Sequence, residues 1–173
     1  MSTQSLARSW VNPNLFKSMP RIISAGAVIF RQKNNTIKYL LLYRKARGHS
    51  REAWTIPRGK IESDETEKQT VVREVREETG IKDLKFIGGF KEEVSWFFKK
   101  RNEEGQVETM FKTAIFYLAQ TETKEVKLSH EHQDFAWLEF SEAYERITFD
   151  AAKEVLKKAN DFLNKYLGRV EYL

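Results

Sequence analysis

Three glutamates in the middle of the chain have the spacing of a metal-binding helix face. Glu74 and Glu78 are four residues apart, so they lie on one face of a helix, and Glu77 lies three residues from Glu74. Like charges at this spacing repel one another, and a bound cation relieves the repulsion. Carboxylate oxygens suit a hard octahedral ion such as Mg²⁺ or Mn²⁺ rather than zinc. The alternative is a solvated charged face whose glutamates pair with neighbouring lysines and arginines.

The residues around these glutamates predict the helix that carries them. Asp64 is a candidate N-cap, and Glu67 three residues later would complete a capping box. An apolar stripe of valines between Val71 and Val75 predicts the buried face of the helix. Gly80 stands where a glycine commonly ends a helix.

Strands are predicted on both sides of this helix. Apolar and β-branched runs predict them at Ile22–Phe30, Ile37–Tyr43, Leu84–Phe90, Glu93–Phe98, Met110–Ala119 and Phe135–Phe140, with a short extended piece at Trp54–Pro57. The polar stretch Lys99–Glu108 predicts a hairpin loop, and helical spacing predicts helices at Glu142–Arg146 and Asp150–Tyr166. Mixed strands around an acidic helix, with a C-terminal helix packed on top, predict an α+β fold in the form of an α/β/α sandwich.

Composition narrows the classes of protein further. The chain has 173 residues, a net charge of +5 and no cysteine. The absence of cysteine excludes a disulfide scaffold, a thiolate zinc site and a cysteine nucleophile. We expect an irregular N-terminal extension over residues 1–20 and one domain over residues 21–173. No signal-like segment or run of 18 apolar residues stands out, so we expect a cytoplasmic protein with no membrane partner. The dispersed basic charge suits an anionic ligand but predicts no stable nucleic-acid partner, and it leaves the oligomeric state open.

A longer motif contains the three glutamates. Gly59–Ile81 matches the pattern Gly-x5-Glu-x7-Arg-Glu-U-x-Glu-Glu-x-Gly-U, in which U is a bulky apolar residue. The matching residues are Gly59, Glu65, Arg73, Glu74, Val75, Glu77, Glu78, Gly80 and Ile81. This pattern is the Nudix box, and the chain resembles a Nudix hydrolase from about Ser24 to Leu167.

The resemblance to Nudix hydrolases implies both a fold and an activity. The fold is the Nudix α/β/α sandwich with a mixed β-sheet and a strand-loop-helix, and the activity is hydrolysis of a nucleoside diphosphate linked to another moiety, with Mg²⁺ or Mn²⁺. By position, Glu74 and Glu78 are implied as the main metal ligands, with contributions from Glu77 and the backbone carbonyl of Arg58. Structural roles are implied for the turn glycines and an ion pair, namely Gly59, Gly80, Glu65 and Arg73.

Further segments resemble asymmetric diadenosine tetraphosphate hydrolases within this family. The string LSHEHQDFAWL, from Leu128 to Leu138, implies that Glu131 is a further catalytic carboxylate, as a metal ligand or general base. Positional matches imply that Trp96, where the family usually has tyrosine, and Phe149 stack a base. They imply phosphate binding by Lys112 and by Arg58, which replaces the family's lysine. The alternatives are an ordinary surface loop, core aromatics and solvated basic residues.

The chain departs from these relatives just before Trp54. A histidine pair of the animal relatives is replaced by Glu52 and Ala53, so one phosphate contact is missing, for which Arg47, His49 or Arg51 could substitute. We expect a Mg²⁺-dependent hydrolase that splits diadenosine tetraphosphate into ATP and AMP by attack of water on a chain phosphorus. Two alternatives stay open. One is another Nudix pyrophosphohydrolase, for RNA 5′ ends, inositol pyrophosphates or damaged nucleotides, and the other is a non-catalytic nucleotide-sensing Nudix module.

Overall fold

The computed structural model describes residues 21–46, 51–102 and 104–170, so the extension predicted for residues 1–20 lies outside the described part. Its strands, in chain order, are β1 Arg21–Lys33, β2 Thr36–Arg44, β3 Ala53–Thr55, β4 Arg58–Lys60, β5 Lys85–Arg101, β6 Val107–Gln120 and β7 Asp134–Leu138. Its helices are α1 Glu67–Thr79, α2 Phe140–Arg146 and α3 Asp150–Val170. None of the described helices is long and apolar enough to cross a membrane.

The strands form one mixed sheet. Its main order is β3-β2-β1-β6-β5, with β4 pairing to β1 and β7 pairing to β2. β1 runs parallel to β6, and the other pairs are antiparallel. A parallel pair needs a long crossover connection, and here that connection includes α1.

The β1–β2 hairpin opens where the site is built. The two strands pair only from Phe30 and Tyr39 to the turn at Asn34 and Asn35, whose φ angles of 49° and 63° suit a two-residue hairpin turn. Beyond that point β3 pairs with β2, and β4 pairs with β1. The segment 53–60 therefore lies in the opening of the hairpin, next to α1.

Apolar side chains pack on both faces of the sheet. One cluster joins the sheet to α1 through residues such as Ile29, Leu40 and Val75, and the other joins it to α2 and α3 through residues such as Phe30 and Leu156. The α/β/α sandwich predicted from the sequence is therefore confirmed. Successive residues of a strand contribute to opposite clusters, because successive side chains point to opposite sides of a sheet.

Two details of the predicted helices are wrong. The N-cap of α1 is Thr66 rather than Asp64, because the Thr66 hydroxyl accepts from the Gln69 backbone N–H, and the Gln69 side chain accepts from the Thr66 N–H. Asp64 with Glu67 and Thr66 with Gln69 both have the three-residue spacing of a capping box, and the protein uses the second pair. Within the stripe of valines, Val72 is exposed.

The strand boundaries also differ from the prediction. The two strands predicted at Leu84–Phe90 and Glu93–Phe98 are one strand, β5, whose register against β6 shifts between Phe86 and Lys91. Gly89 lies in this irregularity with a φ of 87°, a conformation that glycine adopts without strain. The pairing continues from Lys99 with Thr109 to Arg101 with Val107, so both ends of the predicted loop are strand and the hairpin loop is limited to residues 102–106. Phe140 begins α2 instead of ending β7.

Candidate active site

The helix α1 presents its glutamates to the opening of the β1–β2 hairpin. Val71 and Val75 are fully buried against the sheet, which fixes the rotation of the helix about its axis. The helix ends at Gly80, which has a φ of 74° and donates its backbone N–H to the Arg76 carbonyl. The glutamates at positions 74 and 78 therefore face β4 rather than open solvent.

Glu78 is a buried carboxyl group. Its residue is 7% exposed, and its Oε2 lacks a hydrogen-bond donor among the described residues. Burial, together with the charges of Glu74 and Glu131, raises its pKa to about 8, although a backbone hydrogen bond and the charge from Arg58 oppose the shift. Glu78 is thus a carboxyl group that holds a proton near neutral pH and lies close to two other carboxylates.

The carboxyl group of Glu74 lies where any residue other than glycine at position 59 would place its Cβ atom. A Cβ atom on Gly59 would lie 1.7 Å from the Cδ of Glu74, so the carboxyl group rests directly on the Gly59 backbone. Burial raises the pKa of Glu74, against the effect of its contact with Arg73, whose Nη1 donates to Glu74 Oε1 at 2.6 Å. The same Nη1 lies 3.3 Å from Oε2 of Glu77, which is the more exposed of these glutamates.

Arg73 also fastens the preceding loop to the helix. Its Nε and Nη2 donate to Glu65 at 2.5 and 2.8 Å, and Nη2 donates to the Lys60 carbonyl at 3.0 Å. Hydrogen bonds from Arg73, and then from Thr70, lower the pKa of Glu65 to about 2. This paired arrangement connects β4 to α1 and fixes Gly59 against Glu74.

The segment that carries Glu131 is held at the end of α1. The last carbonyls of a helix have no partner within the helix. Here the backbone N–H groups of Lys127 and Ser129 donate to the carbonyls of Thr79 and Glu78, at 2.8 and 3.2 Å. Glu131 follows in a short turn and is close enough for its charge to raise the pKa of Glu74 and Glu78.

These donors fit a hard divalent cation in their chemistry. Glu74, Glu77, Glu78 and Glu131 supply only carboxylate oxygens, and Glu78 Oε2 is a buried oxygen with no donor within the described part of the chain. As they stand, no three acidic, histidine or cysteine side chains of the described residues form a ready metal cage. Arg73 is the cation that contacts Glu74 and Glu77 in this structure.

A cleft of about 600 Å³ opens beside this carboxylate cluster. It brings together the residues for which phosphate binding and base stacking were predicted: Arg58, Trp96, Lys112 and Phe149. Trp96 and Lys112 are directly opposite each other on β5 and β6, so they share a face of the sheet. Arg58 connects the cleft to the carboxylates, because its neighbour Gly59 supports Glu74.

Three cations of the cleft repel one another. Burial, and then the charges of Arg58 and Arg44, lower the pKa of the Lys112 ammonium. Burial and Arg44 likewise lower the pKa of Arg58, against the opposing effect of Glu78. Arg58 and Lys112 contact the Trp96 ring at 5.3 and 5.8 Å from its centroid. A polyanion in this cleft would neutralise charges that are unfavourably close.

Phe149 is positioned by a connection between β3 and α3. The Trp54 backbone N–H donates to the Thr148 hydroxyl at 2.9 Å, and the Thr148 N–H donates to the Trp54 carbonyl at 3.1 Å. These two bonds place the next residue, Phe149, at the cleft. Arg51 lies over the Phe149 ring, 4.8 Å from its centroid. Of the proposed substitutes for the missing histidine pair, Arg47 and His49 lie outside the described residues.

Sequence reasoning missed two residues of the site. Arg44 lines the cleft at the end of β2, and only its place at the start of a basic loop could have signalled it. His132 is buried with Nε2 at 3.8 Å from Glu78 Oε1, and only its place in the string LSHEHQDFAWL could have signalled it. The roles predicted for the other site residues stay predictions.

Comparison with known proteins agrees with this geometry. A family model described as NUDIX domain matches residues 20–159. The bis(5′-nucleosyl)-tetraphosphatase [asymmetrical] of Mus musculus is 33% identical over 150 residues, covering 81% of this chain and 94% of the mouse protein. The Ap4A hydrolase of C. elegans, solved as a binary complex, superimposes with a TM-score of 0.66 at 29% identity, covering 83% of this chain and 98% of that one. An RNA pyrophosphohydrolase of Sulfurovum sp. is 24% identical, covering 68% of this chain and 78% of its own length.

The mixed sheet between helices, the strand-loop-helix and the matched model define the class of protein. The chain belongs to the Nudix family, and it is a hydrolase of that family. Nudix hydrolases generally use divalent metal ions and act on nucleotide substrates, which suits the carboxylates and the basic cleft.

Proposed function

We propose that this Nudix hydrolase cleaves dinucleoside polyphosphates, with diadenosine tetraphosphate giving ATP and AMP. The observation that carries the proposal is the cleft in which the cations Arg44, Arg58 and Lys112 lie with the rings of Trp96 and Phe149, next to the carboxylates of α1. Two rings suit a substrate that carries bases, and three cations suit a chain of several phosphates. The similarity to a mouse enzyme named as an asymmetrical tetraphosphatase supports the same substrate.

Each group of residues has a separate part in the proposed reaction. Glu74, Glu78 and Glu131, with Glu77 and the Arg58 carbonyl, would hold Mg²⁺ or Mn²⁺. A bound ion of this kind neutralises phosphate charge and lowers the pKa of an attacking water. Arg58 and Lys112 bind phosphate oxygens, while Arg51 at the edge of the cleft is a further candidate.

Base recognition is assigned to Trp96 and Phe149. Both rings line the cleft, so a base can enter between the sheet and the start of α3. Stacking on an aromatic ring contributes about 1–3 kcal/mol per base and does not depend strongly on the identity of the ring. The tryptophan in place of the family's tyrosine is therefore compatible with this role.

The structural residues of the motif act through the metal ligands. Glu65 and Arg73 fix the loop to α1, Gly59 supports the Glu74 carboxyl group, and Gly80 ends the helix so that the Glu131 segment can bind its last carbonyls. This arrangement fixes the backbone segments that carry the carboxylates relative to one another before substrate arrives, which favours their positioning.

Product analysis in oxygen-18 water tests the proposal. Diadenosine tetraphosphate should give ATP and AMP, and the labelled product identifies the attacked phosphorus. Products of two ADP would contradict asymmetric cleavage, and preference for a 5′-triphosphate RNA in a substrate panel would favour the alternative suggested by the Sulfurovum relative. Glu78→Gln should abolish turnover without unfolding the protein, and full activity of that variant would contradict the assignment of Glu78.

A further inference from the structure

A second basic cleft lies at the closed end of the β1–β2 hairpin, away from the candidate active site. Its volume is about 570 Å³, and its charged and aromatic lining consists of Arg31, Lys33, Lys38, Lys124, Trp137 and Glu139. Gly26 on β1 pairs with Arg58, whereas Arg31 is five residues further along the same strand. At about 3.3 Å per residue, roughly 17 Å of strand therefore separates the two clefts.

The sheet places the cations side by side. Arg31 and Lys38 are directly opposite each other in the antiparallel pair of β1 and β2. Lys33 follows Arg31 by two residues and shares its face of the sheet, since strand side chains alternate. Like charges in directly opposite positions destabilise a sheet, so this pair is unfavourable in the isolated protein.

Trp137 and Lys124 form the other wall, and both are held in place. Trp137 lies on β7 opposite Leu40, and the Arg31 guanidinium is 5.5 Å from its ring centroid. The indole N–H donates to the Lys124 carbonyl at 3.0 Å. The three residues that precede Lys124, residues 121–123, donate hydrogen bonds to the Asp83 carboxylate at 2.6 to 3.3 Å.

The positive charge of this cleft is not neutralised within the described residues. None of Arg31, Lys33, Lys38 and Lys124 has a carboxylate of the described residues within ion-pair distance, and Glu139 is the acidic residue that lines the cleft. The Arg31 Nε is buried with no hydrogen-bond acceptor in the described part of the chain. The contact with the Trp137 ring positions the Arg31 guanidinium. An anion that enters the cleft would therefore bind these cations without breaking an existing ion pair of the described residues.

We propose that this cleft is a second phosphate-binding site, which takes the polyphosphate chain of a nucleotide or of inorganic polyphosphate. Two cations on one face of β1, one on β2 and one in the segment between β6 and β7 suit an extended chain of phosphates better than a single carboxylate. The indole beside them provides an apolar surface against which a base can stack. The site is separate from the candidate active site and does not depend on the substrate proposed above.

Nuclear magnetic resonance of the full chain tests the site with defined ligands. Sodium tripolyphosphate is titrated into ¹⁵N-labelled protein with EDTA at low salt, and the Trp137 indole N–H signal is followed after assignment with Trp137→Phe. The signal should shift in a saturable manner, and the shift should weaken as sodium chloride is added. In Lys38→Gln/Lys124→Gln the affinity read from this signal should fall at least about tenfold.

A matched control removes the same charge elsewhere. Lys157 and Lys165 are exposed on α3, and Lys157→Gln/Lys165→Gln should keep the Trp137 response. If ATP binds more tightly than tripolyphosphate, the base of the nucleotide stacks on the Trp137 indole. If the two affinities are equal, the site recognises the phosphates alone. An unshifted Trp137 signal, or equal affinity in the Lys38 and Lys124 variant, would overturn the proposal. Hydrolysis of diadenosine tetraphosphate should be unchanged in that variant, so failure here is distinguishable from failure of the proposed function.

Discussion

Binding of Mg²⁺ should displace a proton from Glu78, which makes the affinity strongly dependent on pH. In the metal-free protein, burial and two neighbouring carboxylates raise the pKa of Glu78 to about 8. About nine tenths of the molecules therefore carry this proton at pH 7, and Mg²⁺ requires the ionised form. The apparent affinity should rise about 50-fold from pH 6 to pH 8 and only about twofold from pH 8 to pH 9.

Calorimetry in two buffers with different heats of ionisation measures this proton directly. Roughly 0.9 proton should be released per Mg²⁺ at pH 7 and roughly 0.1 at pH 9. Glu78→Gln should bind Mg²⁺ weakly with almost no proton release, while Glu142→Gln, an exposed position on α2, should behave as the wild type. Equal Mg²⁺ affinity at pH 6 and pH 8 would refute the reasoning, and so would unchanged proton release in Glu78→Gln.

The same proton predicts how stability depends on pH without metal. The pKa of Glu78 is raised on folding, so between pH 4.5 and 8 the folded state holds a proton that the unfolded state has lost. The free energy of unfolding in EDTA should therefore fall as pH rises through this window, by at most about 1.4 kcal/mol per pH unit. Urea denaturation at pH 6 and pH 8 checks this, and Glu78→Gln should show a weaker dependence than the wild type.

Substitutions at three further positions separate positioning, binding and stability. Gly59→Ala would place a Cβ atom 1.7 Å from the Glu74 Cδ and displace that carboxyl group, so kcat should fall about 100-fold in a steady-state assay; a wild-type kcat would show that Glu74 does not need this position. Trp96→Ala should weaken substrate binding by about 1–3 kcal/mol, seen in KM, while Trp96→Tyr should retain it; equal KM values in both variants would remove the stacking role. Thr66→Ala removes the N-cap of α1 and should cost about 1 kcal/mol of stability, seen as a lower Tm with kcat unchanged; an unchanged Tm would mean that the capping box contributes nothing.

Local sequence patterns predicted which helices and strands form better than they predicted the residues at which these begin and end. The helix α1 was predictable because its valine stripe and Gly80 act within one or two turns of the chain. The union of two predicted strands into β5 was not, since it depends on how the segment around Gly89 pairs with residues of β6 that lie roughly 30 positions later. The N-cap predicted at Asp64 lies two residues before Thr66, which forms the capping box with Gln69.

The candidate site divides in the same way. Glu65, Arg73, Glu74 and Glu78 belong to one continuous motif, and their mutual contacts follow from helix periodicity and a short turn. The neighbourhood of Trp96, Lys112 and Phe149 depends on pairing between β5 and β6 and on the Thr148 hydrogen bonds to Trp54. Arg44 joins them only because the β1–β2 hairpin opens, and no local pattern announces that opening.

The sequence by itself determined the family, the acidic helix and the kinds of group available for chemistry. Those properties depend on residue type and on spacings of a few positions, which a helix converts into one face. Only the tertiary structure decided that Glu78 is buried with a raised pKa, that Glu131 lies near it, and that a basic cleft opens alongside. Burial and charge proximity are sums over groups from distant parts of the chain, so no single segment contains them.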